Sequence, residues 1–255
     1  MGNPADHNPA DHNHHPAKRE PATDGPNIRS MGNLGTRERI AQIASMLFQA
    51  EGYNRVSEQD IAFHSSVSEA TVRYYYPDML TLARLLSHQI MMACVQVVGE
   101  AGRIPVAASA APTGDTAARV EFGSVLRIGQ LFFNAMRSDR LFPFARDTMA
   151  FDGAIAFDAR WVVSHLPHFH ASEDIVDALE RSLRAVRLRV SADLLGRCSV
   201  PVKRRMAYDG LDMTMLDLLI ALGTTAEDAE AYVRPALLAE ADLAPLTHRA
   251  VAMLS

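Results

Sequence analysis

The sequence predicts an all-α fold. Apolar residues recur at helical spacing from residue 36 onward, no stretch alternates with period two over a useful length, and β-branched clusters are sparse. Hydrophobic residues make up 48% of the 255 and charged residues 22%, enough apolar material for a large buried core. The formal net charge is −5, so there is no global basic field, and any contact with a polyanion must come from a local surface. Cys94 and Cys198 are too few for a disulfide framework and lack metal-binding spacing. The N-terminus is polar, and the most apolar stretch, 211–222, is short and interrupted by Asp212 and Asp217. These features predict a cytoplasmic protein with no membrane span.

Taken in order, residues 1–35 read as a disordered tail. The Asn-Pro-Ala-Asp-His unit at 3–7 recurs at 8–12, and five prolines punctuate a segment with almost nothing to bury. His7, His12, His14 and His15 read as part of that polar tail rather than as metal ligands. Order is expected from Thr36, a plausible N-cap. Ile40, Ile43, Ala44, Leu47 and Phe48 form one stripe of a first helix, with Gly52 just past its end. Ser57 opens a second helix, with Asp60 in a capping-box position and Ile61 and Ala62 facing inward. Ser65 and Ser66 break it, Ser68 starts a third segment ending at Tyr76, and Pro77 stops that one. Two short helices joined by a tight turn and preceded by a third make a helix-turn-helix pattern.

A long helix is expected from Asp78 to about Gly99, then a loop at 101–115. More helices should come after it, separated at Pro143, Pro167, Pro201, Gly210 and Gly223. Eight of the ten Phe residues and the single Trp lie within 122–169. Ile175, Leu179, Leu183, Val186, Val190 and Leu194 mark a later helix, and 211–222 is apolar almost all round, so it needs cover on both sides.

Residues 36–82 resemble the DNA-binding domain of the TetR (tetracycline repressor) family. The resemblance rests on Thr36-Arg37-Glu38-Arg39-Ile40, Leu47-Phe48, Gly52-Tyr53, Asp60-Ile61-Ala62 and the run from Val67 to Pro77, in matching order and spacing. Ile61, Ala62, Val67, Val72 and Tyr76, with Ile40, Ala44 and Phe48, are the expected core of this head. Ser68, Glu69, Ala70, Thr71, Arg73, Tyr74 and Tyr75 are left on the outer face of the third helix, and Ser57 stands at the start of the second. Hydroxyls and phenols suit phosphates, and Arg73 suits a guanine edge. Tyr76 is expected inside, and Tyr74 and Tyr75 outside. Departures from the family pattern are Glu69 and Met79, where Lys is common, and Arg73, where Tyr is frequent. Residues 36–86 carry five Arg against six Asp and Glu, a head of net charge −1. Helix N-terminal dipoles and hydroxyl contacts can offset this. Lys18, Arg19, Arg29, Arg37 and Arg39 read as solvated charge rather than a dedicated arm.

The resemblance implies a DNA-binding domain at 36–84 and a helical regulatory domain at 85–255. It further implies a homodimer on a palindromic operator, repression released by a small, largely apolar ligand, and no cofactor or enzymatic activity. Phe132, Phe133, Met136, Phe144, Phe157, Trp161 and His165 are candidates to line the ligand pocket, with polar groups drawn from Arg127, Arg137, Arg146, Asp147 and Asp158. Leu179, Leu183, Val186, Leu216, Leu219 and Ile220 are candidates for the dimer seam. His165, His168 and His170 read as loop imidazoles rather than a metal site. The alternatives are a helical adaptor whose helix-turn-helix binds protein, and a helical hydrolase. The chain contains no G-x-S-x-G, HExxH, P-loop or GxGxxG sequence.

Overall fold

A computed structural model describes residues 35–101, 116–166, 170–197 and 211–254. The expected tail to residue 34, the loop over 102–115, the breaks at Pro167, Pro201 and Gly210, and His168 and Phe169 lie outside the described residues. Those described contain helices and no strand. In chain order they are α1 (Thr36–Glu51), a single 3-10 turn (Tyr53–Arg55), α2 (Glu58–His64), α3 (Glu69–Tyr75) and α4 (Met79–Ala101). Then come α5 (Thr116–Met136), α6 (Phe142–Thr148), α7 (Ala159–Ser164) and α8 (Glu173–Arg197). The last are α9 (Leu211–Ala221), α10 (Ala226–Ala236) and α11 (Glu240–Ala252).

α1 is amphipathic, as its stripe requires: Ile40, Ile43, Ala44 and Phe48 are buried against α2, α4 and α6. Its N-cap is Gly35, not Thr36. The Gly35 carbonyl accepts from Arg39 N–H and no side chain caps the end, so Thr36 becomes the first helical residue. Gly52 closes the helix at φ +93°, a conformation that disfavours any side chain. α4 opens on Asp78, whose carboxylate accepts from the Thr81 N–H at 2.7 Å and the Thr81 hydroxyl at 2.8 Å. These bonds hold the Asp78 carboxyl below its ordinary range. By length and composition α4 can cross a membrane, but more than half of that span is buried in the fold, against α1, α5 and α11.

Helices do separate next to Pro143, over residues 137–141, but the proline is not itself in the break. It lies in the first turn of α6, where a missing N–H leaves no hydrogen bond unmade. Gly223, at φ +94°, does end α9. α5 runs through the body, packing on α4, α9, α10 and α11. Gly129 makes one of these approaches possible: a Cβ there would stand 2.6 Å from Phe157 Cζ and 2.9 Å from Leu211 Cδ2.

α8 buries Leu179, Leu183, Val186, Val190 and Leu194 against α6, α7 and α9, while Ile175 is half-buried. Its arginines are not all on the surface. Arg187 is buried and pairs with Glu180 at 2.9 Å and Asp152 at 3.6 Å. α9 is not apolar all round in its packing. Leu211, Met215, Leu218 and Leu219 are buried, whereas Met213, Asp217 and Ile220 are exposed. The expected dimer seam is therefore corrected. Leu179, Leu183, Val186 and Leu219 belong to this chain's own core, Leu216 is half-buried, and of the six only Ile220 is exposed. The apolar side chains that α8 and α9 do present are Leu188, Leu195, Met213 and Ile220.

Candidate nucleic-acid interface

The helix-turn-helix is built from short local signals. Ser57 and Asp60 form a capping box. The Ser57 hydroxyl accepts from the Asp60 N–H at 3.2 Å, and the Asp60 carboxylate accepts from the Ser57 N–H at 2.9 Å. The Ser57 hydroxyl also donates to the Asp60 carboxylate at 2.6 Å, and this bond, with the one from the Ser57 N–H, holds the Asp60 carboxyl below its ordinary range. α2 stops at Ser65, and Ser66 takes φ +54°, which turns the chain sharply without glycine. Arg39 reaches from α1 and donates to the Ser65 carbonyl at 3.1 Å, fixing the turn. Ser68 then caps α3 by accepting from the Thr71 N–H at 3.1 Å.

α3 docks through one face. Val72 and Tyr76 are buried with Ile61, Ala62, Ile40, Ala44 and Phe48, and the Tyr76 hydroxyl donates to the Arg37 carbonyl at 3.1 Å. Val67 is only half-buried, because it sits in the turn at the edge of this core. Opposite that face Ser68, Glu69, Ala70, Arg73 and Tyr74 are exposed, Tyr74 at 80%. Ser57 is also exposed, at the N-terminal end of α2. Tyr75 and Thr71 differ from expectation: both are half-buried. Tyr75 lies edge-on to Tyr74, with centroids 5.0 Å apart, and the Thr71 hydroxyl lies 2.8 Å from that of Ser68. A helix of seven residues with Val72 inward cannot turn 71, 73, 74 and 75 fully outward together.

Arg73 is the larger surprise. Its Nε donates to Glu58 Oε2 at 2.5 Å and its Nη2 to Glu69 Oε2 at 3.3 Å. The Glu69 pair is an i,i+4 contact along α3. Glu58 was invisible to sequence spacing, since it lies 15 residues earlier and only the fold of the turn brings it near. Phe63, 78% exposed and edge-on to His64, was also missed. Its position beside the inward Ile61 and Ala62 carried the only signal.

The head is tied to the body. Phe48 stacks on Phe144 at 6.2 Å, and the buried Asp147 accepts from the Asn54 N–H at 3.0 Å while pairing with Arg146 at 2.7 Å. Arg84 pairs with Asp158, which also caps α7 by accepting from the Trp161 N–H at 2.8 Å. Among the candidate pocket residues, Phe132, Phe133, Phe157, Trp161 and His165 come together as a chain of rings. Phe132–Phe157 is 5.9 Å, Phe133–Phe157 5.6 Å, Phe157–Trp161 5.4 Å and Trp161–His165 4.1 Å. The Phe end is fully buried and His165 is exposed. Met136 is buried near the end of α5, and Phe144 turns toward α1. Arg127 donates to the Ala236 carbonyl at 3.0 Å and Arg137 pairs with Asp193 at 3.3 Å, so both join other helices. Among the described residues, no three His, Cys, Asp or Glu gather as metal ligands.

The fold and this surface define an all-helical protein with a helix-turn-helix head. No family model matches the chain, and no curated protein matches it significantly. Among solved structures it is similar to RolR in complex with resorcinol, at 16% identity over 78% of this chain and 93% of that one, with a TM-score of 0.46. It is also similar to a TetR-family transcriptional regulator from Streptomyces coelicolor, at 16% identity over 86% and 90%, with a TM-score of 0.39. For AmtR from Mycobacterium smegmatis the identity is 16% over 79% and 94%, with a TM-score of 0.26. With scores this low, the functional reading rests on the residues of the helix-turn-helix itself.

Proposed function

We propose that this chain is a sequence-specific DNA-binding transcriptional regulator, a ligand-released repressor acting as a homodimer on a palindromic operator. One observation carries the reading. A capped α3 buries Val72 and Tyr76 and presents Ser68, Glu69, Ala70, Arg73 and Tyr74 outward beside a fixed turn. A helix so presented fits the major groove, and a two-fold pair of heads implies half-sites about one helical turn apart. In this reading 36–84 binds DNA, 85–255 regulates, and neither catalyses a reaction. Leu188, Leu195, Met213 and Ile220 support a second copy at α8 and α9. The ring chain from Phe132 to His165, buried at one end and exposed at the other, is the apolar cluster of this body against which a small, largely apolar ligand would bind. Such a ligand shifts DNA affinity only through different affinities for two arrangements of the heads.

Selection of bound fragments from random duplex DNA, followed by affinity measurement across salt concentrations, tests this. A palindromic consensus with binding that weakens linearly in log salt is expected, because phosphate contacts release counterions. The head's net charge of −1 and the exposed Phe63 favour a protein-binding adaptor as the second reading. An adaptor selects no sequence and shows no such slope.

A further inference from the structure

We propose that Glu58 is a specificity-determining positioning residue. Together with Glu69 it grips one edge of the Arg73 guanidinium, so that the opposite edge reads a single guanine in the operator. The inference rests on the DNA-binding reading above and deepens it.

A guanidinium offers its five N–H groups as a planar fork with more than one usable edge. Nε and Nη2 make up the side edge, and these are the atoms that donate to Glu58 at 2.5 Å and Glu69 at 3.3 Å. That leaves the end edge, formed by Nη1 and the second N–H of Nη2. This edge matches the O6 and N7 acceptors that guanine alone presents side by side in the major groove. The two carboxylates come from different helices, Glu58 from the first turn of α2 and Glu69 from α3. The guanidinium is therefore fixed from two directions rather than swinging on its flexible stem. The side chain of Glu58 is only 25% exposed, against 60% for Arg73, so the anchor is the better held partner.

The same arrangement selects base over backbone. An unpaired arginine on α3 can settle on any phosphate, which adds affinity for all sequences alike. Carboxylates against Arg73 repel phosphate oxygens and neutralise the charge that would attract them. In water such a surface pair contributes little to stability. In a groove emptied of water it strengthens, and the orientation it imposes persists where the base is read. A head of net charge −1 then becomes a head that sacrifices general affinity for discrimination.

The test uses the full chain and its selected operator, with the guanine opposite Arg73 located by substituting each operator base in turn. Binding is measured for wild type, Glu58→Gln, Glu58→Asp, Arg73→Ala and the Glu58→Gln/Arg73→Ala double variant, on the operator, on its base variants and on random duplex, over a salt series. Arg73→Ala is expected to lower preference for one guanine about tenfold or more and to leave the salt slope unchanged. Glu58→Gln should lose most of the same preference while binding random duplex more tightly, with a slope steeper by about 0.9. Glu58→Asp keeps the charge but shortens the reach, so it should lose preference without steepening the slope. The double variant should match Arg73→Ala in preference, the mark of two residues acting through one contact. If Glu58→Gln and Glu58→Asp both keep the guanine preference, the pair is an ordinary surface ion pair and the proposal is overturned. A wild-type chain that selects no sequence at all sinks instead the reading on which it rests.

Discussion

At the scale of single residues, the outer face of α3 sorts into groups with different expected effects. Arg73→Ala should weaken a matched operator by about 1–3 kcal/mol and relax preference at one base pair. Tyr74→Phe removes only the hydroxyl of a side chain 80% exposed, so it should weaken all sequences alike if that group meets phosphate. Glu69→Lys adds a phosphate neutraliser and should steepen the salt dependence by roughly one unit. It also takes away one of the Arg73 partners, so its tighter binding should come with poorer discrimination. Titration of each variant on matched and mismatched duplexes checks all three.

Asp60 supplies a pH test of the head's folding. Its carboxyl is held below the ordinary range by hydrogen bonds from Ser57. A depressed folded value means the stabilisation is complete above the unfolded value of about 3.9 and is lost as pH falls through the folded one. The melting temperature of Asp60→Asn should therefore lie below wild type at neutral pH, with the gap closing only below about pH 4. A constant gap from neutral to acid would show that the cap works without its charge. This box was legible in the sequence because its two residues are three apart. The Glu58–Arg73 pair was not, because it spans two helices and depends on the turn at Ser66.

At the scale of elements, periodicity located the helices well, since burial of one face is what makes them stable. It could not say which neighbour each face would meet. The stripe Leu179, Leu183, Val186 reads equally well as a seam between subunits or as core, and the fold uses it as core. Leu219→Glu should accordingly unfold the protein rather than release a folded monomer, because it places an unpaired charge at a site with no exposure. A loss of at least about 3 kcal/mol is expected in chemical denaturation. Met213→Glu or Leu188→Glu, at exposed positions on α9 and α8, should keep the fold and shift sedimentation from dimer to monomer. An unchanged dimer in both variants would place the interface elsewhere.

Pro143 and Thr36 show the same limit on a smaller scale. A proline can break a helix or open its first turn, and local pattern alone does not separate the two. Thr36 and the preceding Gly35 likewise compete for one cap. The rings concentrated over 122–169 do not form one cluster, because Phe144 meets α1 whereas Phe157 meets Trp161.

At the scale of the molecule, the head does not hang from the body by a single connection. Gly52, at φ +93°, lies so close to α6 that a Cβ would stand 2.6 Å from Asp147 Oδ2 and 2.9 Å from the Pro143 carbonyl. Asp147 holds the Asn54 N–H just beyond. Asp147→Ala would leave that N–H without its partner and remove the Asp147 ion pair from Arg146, a cost of about 1–3 kcal/mol. Calorimetry should show the loss in the whole transition rather than in a separate early melt of the head.

The close seat of Gly52 also bears on how readily this protein could exchange parts with others. Were the head a self-sufficient cassette, it could be grafted onto another helical body and keep its DNA preference. Here Phe48 has its ring on Phe144, Gly52 has no room for a methyl group beside α6, and Asn54 relies on a carboxylate 93 positions later in the chain. A chimaera that kept residues 36–84 but replaced α6 would strip three anchors at once. The head and α6 therefore pack as one unit, and a graft of the head would have to carry α6 with it.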